Sequence, residues 1–470
     1  MIGLKDYEHM DGFGLSTWEE VAELNKALMA GYEIPATIGG PGGFALRVES
    51  LEASLKVITY QMQHIKFWQK IPKLPAYSTV EEYNQLVTYG GSSGAFTPEG
   101  ELGEYEDAQY YRQKSFVKYV QTVRKVTHPL TLVRAAHGDV VGNEIRNGIM
   151  WMLGQIEFAL YWGNSALRPG AEGYQWDGLN RLIDNTMVLD ANGDPLSEDL
   201  IESASNQVIE QYGFPTDIFI GTRPLADLAK VMFPKERIIV PYREGQVGVP
   251  LNTFASQGGI LAFNPDVFLR KITAPASATS LKAPLAPASG TATKASTGGG
   301  SWNKTNNGWG TYHYVATAGN RYGESLPCAA FSNSSPVVAD DDKITVAVVL
   351  ASSIGTYLPE YINVYRTVAN GGSGGIKYLV YQQATESVAG GGTAIAAWID
   401  MNSIIANAHK VFIGELTPQV IAFKQLAPMM KMDLAVVEPS IRWLQLLYGV
   451  PQIYAPRKWI VVKNVGEATV

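Results

Sequence analysis

The chain has one cysteine, Cys328, in 470 residues. No internal disulfide can form, so an oxidising compartment leaves no mark here. It also has no apolar run of about 18 residues and no charged-then-apolar leader pattern, which leads us to expect a soluble, cytoplasmically made product without a membrane span. Charge is scarce as well: Asp, Glu, Lys and Arg make up 17% of the chain, against a usual share of about 25%. Extensive subunit contacts produce such depletion, since interface cores carry few charges. A β-rich protein with many Gly and Thr explains it equally well. Basic residues are in deficit, 37 against 44 acidic for a net charge of −7, which disfavours a nucleic-acid binder built on a basic stripe.

The motifs of chemistry are missing too. The histidines (His9, His64, His128, His137, His313, His409) are scattered without metal-site spacing, so no zinc is expected. The stretch Asp190, Asn192, Asp194 opens like a calcium loop. Its sixth and twelfth places, however, hold Pro195 and Ile201 where glycine and a bidentate glutamate are required. A polar turn ahead of a helix at Ser197 is the better reading. Asp340, Asp341 and Asp342 read as a solvated turn, and Cys328 as a buried, unactivated thiol. The glycine-rich run 39–43 is followed by no Gly-Lys-Ser/Thr and preceded by no strand, so it is no phosphate loop. Tyr312, Tyr314 and Ala316 share one strand face, as a core would require; a sugar-stacking platform is the sharper alternative. No catalytic residue, metal or cofactor is expected.

What is present is organisation. Residues 1–44 form an arm with a helix over 17–30, opened by a Thr17/Glu20 capping box and stopped at Gly31. Leu51, Leu55, Ile58 and Met62 predict a helix over 45–66. Two β-like runs, 76–88 and 115–127, are joined by a polar, glycine-rich tip. The tip is acidic (Glu99, Glu101, Glu104, Glu106, Asp107) and the return strand basic (Arg112, Lys114, Lys118, Arg124, Lys125). A two-stranded excursion is marginal in water, so a partner surface is implied. Its candidate assembly contacts are Glu99, Glu101, Glu104, Glu106, Arg112, Lys114, Lys118 and Arg124. The strongest helix runs over 139–161, with a stripe of Val141, Ile145, Ile149, Leu153, Ile156 and Leu160. Residues 164–273 mix short helices (197–212, 224–231) and strands (217–220, 238–241, 259–263). A linker-like stretch follows from 274, and then five short strands that suggest a β-sandwich over about 280–405. Residues 411–466 alternate as strands again and resume the first domain.

Three segments carry a family resemblance: FWQKIPKLPAYSTVEEYNQ at 67–85, the block from Trp162 to Ile201, and 412–465. In order and spacing the chain resembles the major capsid proteins of tailed bacteriophages, closest to those of large contractile-tailed phages of Gram-positive hosts that carry an Ig-like insertion. The resemblance implies an α+β tailed-phage capsid fold. Residues 1–44 would be the N-terminal arm and 67–127 the extended loop. The peripheral domain would comprise 45–66, 128–163 and 451–470, with 139–161 as its spine helix. The axial domain would comprise 164–273 and 409–450, and 274–408 would be an inserted Ig-like or fibronectin-III-like module. It further implies a virion structural subunit, no enzyme, whose hexamers and pentamers enclose double-stranded DNA without gripping it. Portal, scaffold or decoration proteins would be its further partners. A glycan-binding role for the module, or a hydrolase with an appended sandwich, are the competing readings. Some relatives cross-link subunits through a lysine–asparagine bond; Lys70, Lys73 and Lys114 are candidates here, but no matching motif exists and no cross-link is expected.

Overall fold

Val411, Phe412 and Ile413 are apolar on consecutive positions, the pattern of a strand covered on both faces, and all three are fully buried. Their strand, β17 (His409–Gly414), sits inside a six-stranded mixed sheet. The order is β5 (Val188–Asp190), β20 (Trp459–Val465), β17, β6 (Asp217–Ile220), β8 (Gly259–Pro265) and β7 (Thr253–Ser256). β5 pairs parallel with β20 and β6 with β8, and the other pairings are antiparallel. The computed structural model describes residues 57–90, 96–103, 105–133, 138–167, 175–236, 251–296, 298–302, 308–333, 335–351, 357–385 and 393–468. The arm, the helix expected in it over 17–30, the glycine run 39–43, residues 45–56 and the strand expected at 238–241 lie outside them.

A four-stranded sheet runs β1 (Lys73–Pro75), β18 (Ile421–Asp433), β19 (Ser440–Ile453) and β4 (Lys118–Thr127). Here the helices enter: α1 (Phe67–Lys70), α2 (His128–Leu132) and the long α3 (Val140–Trp162), then α4 (Leu179–Leu182), α5 (Glu198–Glu210) and α6 (Thr222–Glu236). The stripe on α3 is as the sequence implies, with Leu153, Ile156 and Leu160 buried. Gln445 of β19 donates to the Ile145 carbonyl at 2.8 Å, which fixes the sheet against α3. Ser197 caps α5 by accepting the Leu200 N–H, and Asp190 accepts the Asn192 N–H in the turn before it.

Two expectations are corrected. Of the helix expected over 45–66, residues 57–66 show only a 3-10 turn, Met62–His64. Val57, Ile58 and Met62 are exposed, so no burial supports the stripe, and propensity alone does not sustain a short helix. The tail also divides otherwise than expected. The hairpin β18–β19 shares its sheet with β4 and touches α3, while β17 and β20 pair in the six-stranded sheet. Both stretches are apolar and alternating, and period alone does not name a partner strand.

The described residues divide into a large unit, within 59–128 and 141–468, and a small one, within 57–58 and 129–140. The large unit holds a second core, separate from the first, inside a β-sandwich. One sheet is β16 (Thr393–Asp400), β13 (Lys343–Val349) and β9 (Ser289–Ala295). The other is β11 (Gly323–Glu324), β10 (His313–Asn320), β14 (Tyr361–Arg366) and β15 (Tyr378–Ala384), with β12 (Phe331–Ser332) beside β10. The strict alternation of burial along β13 is that of a half-buried strand. β9 lies in the stretch that reads as linker, because SGTATKA has no large apolar residue to announce it. Tyr312 and Tyr314 are buried, so their rings are core. Cys328 is buried too, and burial pushes its thiol pKa up.

Between the sheets, Arg366 meets Asp400 at 2.5 Å. Its other terminal nitrogen donates to Asn402 Oδ1 at 2.5 Å, Tyr314 donates its hydroxyl to Asp400 at 2.9 Å, and the Trp302 ring lies 5.0 Å from the guanidinium.

Gly163 and Gly178 let two chain segments touch where α3 ends. The Gly178 N–H donates to the Gly163 carbonyl at 2.9 Å, and a Cβ on Gly178 would stand 2.7 Å from Tyr161 backbone atoms. We expect Gly178→Ala to destabilise the protein by about 1–3 kcal/mol, the range for forced overpacking. Denaturant unfolding measures it; an unchanged midpoint contradicts the crowding.

Candidate assembly surface

Antiparallel strands β2 (Val80–Thr88) and β3 (Gln109–Phe116) form a sheet of their own, paired from Val80–Phe116 to Thr88–Gln109 with one register shift between Leu86 and Thr88. The first strand therefore pairs with 109–116, whereas 118–127 turns away as β4 into the four-stranded sheet. From Leu86 to Lys114 nearly every described residue is exposed. Tyr89, Phe96, Leu102 and Tyr105 are each 90% exposed or more.

The base of this ribbon is bolted down. Glu157 of α3 accepts three backbone N–H groups, from Lys66 at 2.8 Å, Phe67 at 2.6 Å and Trp68 at 2.8 Å. Those donors are the unsatisfied amides that open α1. The Phe67 ring packs 4.9 Å from Phe219, and Trp68 4.9 Å from Phe423. Lys70 reaches Asp217 at 2.6 Å. Further out, Tyr83 donates to the Ile453 carbonyl at 3.1 Å and Gln85 to the Tyr454 carbonyl at 2.6 Å.

Glu157 is fully buried beside Asp266, which also accepts the Tyr161 hydroxyl at 2.9 Å. Burial, then Asp266, push the Glu157 carboxyl up to about 9, against the Trp68 and Phe67 N–H groups that favour its ionised form. The folded state thus holds a proton that an unfolded glutamate releases near 4.5. Its contribution to stability is complete below about 4.5 and is lost as pH rises toward about 9. We expect the melting temperature to fall across that window, and Glu157→Gln, which cannot ionise, to flatten the fall. Parallel curves for the two proteins would refute the assignment.

The residues singled out in the sequence are not one cluster. Glu99, Glu101 and Glu106 lie exposed toward the ribbon tip, and Glu104 lies outside the described residues. Arg112 bonds across the ribbon to Glu82 at 3.4 Å and Asn84 at 3.1 Å. Lys114 sits 5.6 Å from the Phe116 ring. Lys118 and Arg124 belong to β4: Lys118 is buried, and Arg124 faces Glu144 at 3.6 Å. The two other lysines considered for cross-linking are occupied, Lys70 by Asp217 and Lys73 by the Trp68 carbonyl at 2.7 Å. Charge drew attention to the tip, yet its aromatic and aliphatic side chains are the larger feature. The tyrosines of 105–111 were the available clue. Nothing in the sequence marked Glu157 or Asp266.

A family model described as SU10 major capsid protein matches residues 65–281, from the foot of the ribbon to the entrance of the sandwich. The chain is 26% identical over 447 residues to the major capsid protein of Staphylococcus phage K, covering 94% of each. It is 28% identical over 430 residues to a putative major capsid protein of Enterococcus phage phiEF24C, covering 90% of each. The chain is similar to phage major capsid proteins. Solved structures similar to it include the capsid of Myoviridae phage XM1, at TM-score 0.43 and 8% identity over 92% of this chain and 99% of that one. A holo-SrpI encapsulin complex from Synechococcus elongatus has TM-score 0.45 and 10% identity over 90% of this chain and 95% of that one. The family match includes the ribbon and its foot. The two phage relatives extend it over nearly the whole chain, so the sandwich is spanned as well.

Proposed function

We propose that this chain is the shell subunit of an icosahedral phage head, a structural protein with the tailed-phage capsid fold. Hexamers and pentamers of it close around double-stranded DNA. The observation that carries the reading is the ribbon: a lone two-stranded sheet with a large apolar tip in water, fixed firmly at its foot. Such a ribbon is marginal alone and gains its stability by lying on another copy. The net charge of −7 suits a wall that encloses DNA without gripping it. The sandwich, with its own core, is an Ig-like module displayed on the outer surface. Portal, scaffold or decoration proteins complete the particle.

Expression of the full chain followed by electron microscopy tests this. Shells or capsomers are expected; a persistent monomer would count decisively against it. The Ile272 carbonyl accepts from Leu379, and Lys271 reaches Asn407 at 2.6 Å, so the two strands of chain joining the module to the body run close together. Replacing 273–405 by a short Gly/Ser bridge is therefore expected to leave assembly intact. Assembly lost with the sandwich would show that the module is part of the wall.

A further inference from the structure

Along the sandwich edge strand β15, between it and the body, lies a cavity of about 540 Å³, a size typical of small-molecule sites. Trp162, Asn180 and Lys410 wall it on one side and Tyr378 and Tyr381 on the other. Its charge is one-sided. Arg181, Arg270, Lys271, His409 and Lys410 line it, and no Asp or Glu does, in a chain of net charge −7. Arg181 is answered from outside the lining by Asp177 at 3.1 Å, and Lys271 by Glu467 at 2.5 Å. His409 is held neutral, its pKa pushed down to about 4 by burial and by Lys271.

The remaining two cations, Lys410 and Arg270, have no carboxylate within ion-pair distance among the described residues. The half-buried Lys410 donates to Asn180 Oδ1 at 2.8 Å and lies 5.3 Å from the Trp162 ring. Burial, then repulsion from Lys463, bring its pKa down to about 8. Lys463 is itself paired, with Asp190 at 3.1 Å. A desolvated ammonium with only an amide and an aromatic ring for company is a site short of its counter-ion.

We propose that this cavity binds a small polyvalent oxyanion, bearing phosphate or carboxylate groups, with Lys410 as its inner cation and the exposed Arg270 as its outer one. The inference does not depend on the shell reading. Calorimetric titration of the purified full-length chain with pyrophosphate, and separately with citrate, tests it at fixed ionic strength. Saturable binding of either is expected, and the one that binds more tightly identifies the group. Lys410→Gln should weaken it roughly tenfold or more, as loss of a charge-assisted hydrogen bond does. Arg270→Gln, at an exposed position where folding is safe, should weaken it several-fold; loss in either variant supports the site. No binding of either anion to the wild type, or wild-type affinity in both variants, overturns it.

Discussion

Replacing the ribbon tip, residues 89–108, by an Asn-Gly turn should abolish shell assembly while leaving the subunit folded. Thr88 and Gln109 are register partners, so a two-residue turn closes the strands in place. The large apolar side chains removed with it are in water within the subunit: Phe96 is 100% exposed and Tyr105 103%. Burying one such side chain contributes about 1.5–3 kcal/mol, and Tyr89, Phe96, Leu102 and Tyr105 together would contribute several times that at each contact. Loss of that much per contact changes an association constant by orders of magnitude. Sedimentation and electron microscopy read the assembly, and circular dichroism the fold. Normal shells from the shortened chain would remove the ribbon from the assembly mechanism.

The second large effect is confined to the sandwich. Arg366→Met should cost about 3–5 kcal/mol, because breaking a buried pair strands the partner charge. Asp400 would be left 2% exposed with no cation, and Asn402 and the Ile404 carbonyl would lose their donor. Local unfolding would expose Trp302, which fluorescence and limited proteolysis both detect. The double variant Arg366→Met with Asp400→Leu should recover much of the loss, since an apolar pair of similar volume is often as stable as the ions. If the single variant melts with the wild type, the cross-sheet pair does not hold the module together.

How far the chain could be read before folding differs from place to place. The stripe of α3 and the sandwich strand β13 were legible because a 3.6-residue or 2-residue period records which face is buried. β9 was not, since Thr and Ala fill an edge strand without a periodic apolar mark. The ribbon was legible as an excursion but mispaired by several residues: Gln109–Phe116 is polar on most positions and gave no alternation to set its register. Glu157 looked like any helix glutamate. Only the approach of Lys66, Phe67 and Trp68, about ninety positions away in sequence, made it a buried anchor.

By itself, then, the sequence determined the local matters: no disulfide, the long helix, a separate β module, an extended polar excursion, and the family resemblance carried by 67–85, 162–201 and 412–465. The tertiary structure decided the matters of partnership. It assigned β18–β19 to one sheet and β17 with β20 to the other, and moved Lys118 and Arg124 off the ribbon. It also brought Lys410 and Arg270 to one cavity without a carboxylate. The physical reason is that period and composition are properties of a segment. Strand pairing, desolvation and the sum of charges around a space depend on which distant segments meet.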